Sequence, residues 1–165
     1  MNMNKFSIKK VNAQTEIYNN REFYILNTCA GTVKANRGEL KEYSLRIALT
    51  GEQPYYKDSS NHNSDSDIKV GNKNISVKSG EAGLGFMTTD NLENYIDEYL
   101  EKDYSNTYMY VTESYEVYEM NKAEMREFLL ANARISKTRN RRTNEIKLEC
   151  RLKRDTTICK WLENI

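Results

Sequence analysis

The chain has 165 residues, a formal net charge of +1, 38% hydrophobic residues and 30% charged residues, which fits one domain over 1–165 with a highly polar exterior. No apolar run approaches the roughly 20 residues that cross a bilayer, and the opening Met1-Asn-Met-Asn-Lys-Phe-Ser-Ile-Lys9 holds no signal-peptide core, so no membrane partner and a cytoplasmic location are expected. Cys29, Cys150 and Cys159, with no Cys-x-x-Cys, and the lone His62 argue against structural zinc and a disulfide framework.

Thr15 to Val33 contains Phe23-Tyr24-Ile25-Leu26, a run that periodicity leaves open between helix and strand. From Gly38 to Leu49 the spacing predicts a helix with Leu40, Tyr43 and Ile47 facing inward and Gly51 as its stop. Gly51 to Ser66 reads as a polar loop holding His62, and loops of that length are usually functional or disordered. Asp67 to Lys78 then reads as a hairpin. Ile68, Val70, Ile75 and Val77 alternate with Asp67, Lys69, Ser76 and Lys78 around the turn residues Gly71-Asn72-Lys73-Asn74. Ser79 to Phe86 is rich in glycine, but it has neither a Walker loop nor Gly-x-Gly-x-x-Gly spacing, which leaves turns or backbone approach to a phosphate.

Leu92, Tyr95, Ile96, Tyr99 and Leu100 predict an amphipathic helix starting near Asp90, with Asp90 and Glu93 placed as a capping box. Tyr108–Thr112 and Tyr115–Met120 read as two strands around Glu113-Ser114. Asn121 and Glu124 cap a helix with Met125, Phe128 and Leu129 inside. Ser136 to Asn144 is a basic link, Ile146 to Lys153 an alternating strand, and Thr156 to Asn164 a closing helix that packs Ile158, Trp161 and Leu162. Cys150 and Cys159 fall on apolar positions and read as small core residues. The sum is an α+β (mixed α/β) plan with a central sheet of about five strands flanked by helices.

The near-zero net charge conceals a division. Residues 133–165 carry ten Lys/Arg against four acids, whereas residues 81–127 carry twelve acids against three basic residues. A basic segment suits phosphate, and an acidic one suits cations or solvent.

One face of the hairpin joins a carboxylate to a lysine, a pattern that suits metal-dependent phosphodiester hydrolysis but by itself is more often an ordinary surface ribbon with solvated charges. Mg²⁺ takes oxygen ligands, commonly one or two carboxylates plus water and substrate phosphate. Asp67 followed by Ser76-Val77-Lys78 resembles the active-site motif of the PD-(D/E)xK nuclease superfamily, which includes many type II restriction endonucleases. There an Asp opens one strand of an antiparallel pair and an acid-x-Lys triplet closes the next. Two positions depart from the motif: Ser66 stands for the Pro and Ser76 for the second acid.

A Ser-x-Lys branch of the restriction enzymes takes its missing acid from a downstream helix, so the resemblance implies Asp90, Glu93 or Glu81 as the further metal ligand beside Asp67. It also implies a helical acid ahead of the hairpin. Glu39 and Glu42 share a face there, and Glu42, also an i,i+4 partner for Arg46, is preferred. The implied function is a Mg²⁺- or Mn²⁺-dependent endonuclease of restriction, phage or mobile-element type. Asp67, Lys78, Ser76 and Glu42 form its catalytic set, double-stranded DNA is its partner, and it works as a homodimer. Lys137, Arg139, Arg141 and Arg142 are the expected nucleic-acid contacts, since arginine suits both phosphate and base edges; a solvated link gives the same pattern. The competing expectation is a catalytically inactive nuclease fold that binds DNA as an accessory, regulator or inhibitor.

Overall fold

The computed structural model describes residues 3–28, 31–52 and 67–165. Cys29, the loop read from Gly51 to Ser66 beyond Glu52, and His62 with it lie outside the described residues. Within them the protein is mixed α+β, with four helices and eleven strands. No described helix is long and apolar enough to cross a membrane.

The central sheet is built from β1 (Asn4–Ser7), β5 (Ile68–Val70), β6 (Lys73–Ser79), β8 (Thr107–Val111) and β9 (Glu116–Met120), in the order β1-β9-β8-β6-β5. Only the β6–β8 pair is parallel. A parallel pair needs a long crossover, which β7 (Gly83–Met87) and α2 (Leu92–Lys102) supply. Alternation divides the sheet into two apolar faces. Ile68, Ile75, Met109, Val111 and Val117 pack against Leu45 of α1 (Arg37–Thr50). Tyr108, Tyr110, Tyr118 and Met120 pack beneath α2, α3 (Lys122–Asn132) and α4 (Asp155–Glu163).

The undecided run near Phe23 is strand. β2 (Gln14–Tyr18), β3 (Arg21–Thr28) and β4 (Gly31–Ala35) form an antiparallel three-stranded sheet. Asn19 and Asn20, at φ 51° and 63°, make its first turn, where asparagine tolerates the left-handed region of a tight hairpin. Tyr24, Leu26 and Ala35 cover Leu40 and Tyr43 of α1. This helix is thus buried between two sheets, and Leu40, Lys41, Tyr43, Ser44 and Leu45 are all inside. Leu45, rather than Ile47, is its most buried aliphatic residue. The Lys41 side chain is 4% exposed, and its ammonium pairs with Glu113 Oε1 at 2.5 Å. Gly51 ends the helix as its sequence suggests, and Asn36 caps its start by accepting the Glu39 N–H.

A second difference concerns the basic link. Its first part is β10 (Ala133–Arg139), paired antiparallel with β11 (Ile146–Leu152) over seven residues, and β11 pairs in turn with β7. Polar Ser136, Lys137 and Thr138 give this strand no hydrophobic alternation beyond Ala133 and Ile135, and backbone pairing with β11 defines it. The α2 cap also differs from expectation. Asn91, not Asp90, accepts the Asn94 N–H, while the Asn121–Glu124 box forms as expected.

The glycines after the hairpin answer to packing. Gly85 sits at φ 126°, and a Cβ there would collide with the Tyr95 hydroxyl, which donates to the Leu84 carbonyl at 2.7 Å. Gly85→Ala is expected to cost about 1–3 kcal/mol from strain and lost contact, read as a lower urea midpoint. A midpoint equal to wild type would show that β7 tolerates a side chain here.

Candidate functional site

The hairpin folds as its alternation suggests, with a two-residue turn at Gly71-Asn72 and Ile68 directly opposite Ile75. Both isoleucines are 1% exposed, whereas Ser76 and Lys78 lie on the face of Tyr108 and Tyr110, their neighbours across β6–β8. β5 ends its pairing at Ile75, so among the described residues no strand pairs with the Val77–Ser79 end of β6 on this side. Asp67 covers part of that end: its Oδ2 accepts the Val77 N–H at 2.8 Å. Its Oδ1 receives no hydrogen bond from the described residues.

Glu42 reaches this place through an arginine. Arg46 Nη2 donates to the Asp67 carbonyl at 2.6 Å and pairs with Glu42 Oε1 at 3.4 Å. Arg46 Nε is buried with no acceptor among the described residues. The expected i,i+4 pair therefore forms and also ties α1 to the start of β5.

Two clefts meet at Asp67 and Lys78. The first, of about 400 Å³, lies between Asp67, Ser76, Lys78 and the α2 face carrying Tyr95, Glu98, Tyr99 and Lys102. There Lys78 Nζ stands 5.9 Å from the Tyr99 ring centre, a cation–π distance. The second, of about 590 Å³, lies between Glu39 and Glu42 of α1, the Asp67–Lys78 edge, and Glu81 and Arg151 beyond β6. Arg151 is anchored by Glu149 at 2.8 Å and by the Glu81 carbonyl at 2.8 Å.

Asp67, Ser76, Lys78, Glu42, Glu39 and Glu81 are thus gathered around two adjoining clefts. Glu81 also pairs with Arg134 at 3.3 Å. Asp90 and Glu93 line neither cleft: Asp90 is exposed ahead of α2, and Glu93 pairs with Arg126 at 3.0 Å. The acids that α2 and its C-cap bring to the first cleft are Glu98 and Asp103. The signal for Glu98 was helical spacing, since Tyr95, Glu98, Tyr99 and Lys102 fall on one face at i, i+3, i+4 and i+7.

Among the described residues, no three His, Cys, Asp or Glu side chains come together around a single point. Mg²⁺ needs only one or two carboxylates when water completes its shell. The carboxylates of this cleft that could serve as such ligands are Asp67, one oxygen of which receives no hydrogen bond from the described residues, and Glu42 and Glu81. Burial raises the Cys150 and Cys159 thiols to about 11, aided by Glu149 and Asp155 respectively, so both stay protonated at neutral pH.

The basic residues lie elsewhere. Lys137 and Arg139 are exposed on β10, and Arg141 and Arg142 are exposed in the loop that joins it to β11. Arg139 Nη1 donates to Asn144 Oδ1 at 2.8 Å. From Ala133 to Arg139 the strand runs roughly 20 Å, at about 3.4 Å per residue, so this tip is at the far end of its sheet from Arg151. The chain matches no protein-family model, no curated protein and no solved structure.

Proposed function

We propose that the protein is a Mg²⁺- or Mn²⁺-dependent endonuclease that hydrolyses phosphodiester bonds in double-stranded DNA. The observation that carries this reading is the joint lining of two adjoining clefts by Asp67 and Lys78, with Glu42 and Glu81 beside them in the second. Asp67 would hold the cation, with Glu42 or Glu81 reaching it directly or through water. The bound cation would polarise a phosphate oxygen and lower the pKa of a bound water.

The chain's own groups perform the rest. The Lys78 ammonium positions the attacking water and offsets negative charge developing on the phosphate. Arg46 fixes Asp67 through its carbonyl and holds Glu42 at the cleft wall. Ser76, 7% exposed, supplies only a hydroxyl where a carboxylate would complete the motif. Action as a cytoplasmic homodimer on symmetric sites belongs to the same proposal.

Supercoiled plasmid incubated with the protein should be nicked or linearised in Mg²⁺ and left intact in EDTA, and Lys78→Met should abolish the cutting. An intact plasmid in Mg²⁺ and in Mn²⁺ would sink the proposal. A second reading, a DNA-binding nuclease fold without catalysis, is favoured by Ser76 and by the scattering of the acids around the clefts. It predicts plasmid retardation without cleavage.

A further inference from the structure

The β7–β11–β10 sheet has an inner face, where Met87, Cys150, Leu152 and Ala133 join the core, and an outer face open to solvent. Register places Phe86, Glu149 and Ser136 in one row of the outer face and Lys147 with Thr138 in the next. Phe86 is 59% exposed, and Lys147 Nζ stands 5.3 Å from its ring centre. At the hairpin tip Lys147 shares this outer face, Arg141 and Arg142 lie in the loop, and Lys137 and Arg139, paired with Leu148 and Ile146, fall on the opposite face, five cations against the single acid Glu145. No carboxylate among the described residues forms an ion pair with any of the five. At the other end of this face, Arg151 and Glu81 line the cleft shared with Asp67 and Lys78.

An exposed aromatic ring beside a run of unpaired cations is what binds an unpaired nucleic-acid strand: bases stack on the ring in any sequence while the cations follow the phosphates. A duplex offers no base faces to a ring, because its bases are already stacked on one another. We infer that the outer face of this sheet holds a single-stranded flank of the substrate, with one base stacked on Phe86 and its backbone tracked by Lys147 and the β10–β11 loop. The inference rests on the endonuclease reading only for where the strand leads. The preferred substrate would then be a duplex with an unpaired arm rather than a fully paired one.

Binding is measured in EDTA, so that cleavage plays no part, by anisotropy of fluorescent oligothymidylate, oligouridylate and a blunt duplex. Either single strand should bind, Phe86→Ala should weaken it about tenfold, and the blunt duplex should change less than about twofold. Lys147→Ala should lower the slope of log affinity against log salt by about 0.7 on the single strands. Phe86→Trp should restore binding, with indole emission quenched on saturation. Wild-type affinity in Phe86→Ala, an equal loss on blunt duplex, or unquenched emission in Phe86→Trp would overturn the inference. If plasmid cleavage fails while Phe86-dependent binding persists, the endonuclease reading falls and the strand-binding face stands. If cleavage occurs while Phe86→Ala binds as wild type, the strand-binding face falls alone.

Discussion

Asp67→Asn is expected to reduce Mg²⁺-dependent DNA cleavage by a factor on the order of 10² or more while leaving the fold intact. The asparagine carbonyl can still accept the Val77 N–H that Asp67 Oδ2 accepts at 2.8 Å, so the Val77 end of β6 keeps its partner. The carboxylate charge is lost, and a neutral amide is a poor ligand for a hard dication. Losing one group that stabilises charge in a transition state commonly costs 10²–10³ in rate. Asp67→Ala separates the two roles of the side chain. It removes the ligand and also leaves the Val77 N–H without its acceptor, adding about 1–3 kcal/mol of destabilisation if that group stays out of water. Cleavage is read as single-turnover plasmid nicking, and stability by urea denaturation. Wild-type nicking by Asp67→Asn would remove Asp67 from the chemistry and return the hairpin to an ordinary structural role.

The hairpin was legible because two signals agreed: alternation put Ile68, Val70, Ile75 and Val77 on one face, and Gly71 marked the turn, although the turn is Gly71-Asn72 alone and Lys73 and Asn74 belong to β6. Helix α1 is legible from its apolar spacing and from Gly51, and Leu40 and Tyr43 are buried as expected, but Leu45 takes the inner place expected of Ile47. A helix covered by sheets on two sides has no single apolar stripe to read, and Lys41 and Ser44 are as buried there as Leu40. β10 escaped because its residues are polar and its structure comes from pairing with β11. The acids were harder still. Distance along the chain from Lys78 points to Asp90 and Glu93, whereas cleft lining depends on which side of α2 a residue occupies. Glu93 is turned toward Arg126 of α3, and Glu98, five residues on, lines the first cleft beside Tyr99. Sequence offset sets reach along a helix axis, but rotation about that axis is set by packing with α3.

Phe128→Ala should be the most damaging single substitution in the core, lowering stability by about 3–5 kcal/mol. Phe128 is fully buried. Its ring centre lies 5.4 Å from Tyr110 of β8 and 5.9 Å from Trp161 of α4, the latter edge-on at 73°. One side chain thus joins α3, the central sheet and the closing helix. Removing it leaves a cavity these rigid elements cannot close, and aromatic geometry worth about 0.5–1.5 kcal/mol per pair is lost as well. The consequence reaches the site, because Tyr110 is the register neighbour of Lys78 across β6–β8. The Tyr110 hydroxyl is pinned to Asp155 Oδ1 at 2.7 Å, and burial together with that carboxylate pushes it well above its ordinary pKa. Against a typical total stability of about 5–15 kcal/mol, a loss this large should leave part of the population unfolded at physiological temperature. Trp161, the only tryptophan, reports the change directly: its emission should shift red in the folded variant as water reaches the cavity, and the urea midpoint should fall. A loss below about 1 kcal/mol with unshifted emission would show that Tyr110 and Trp161 pack without it, and that α4 is held by Ile158 and Leu162 alone.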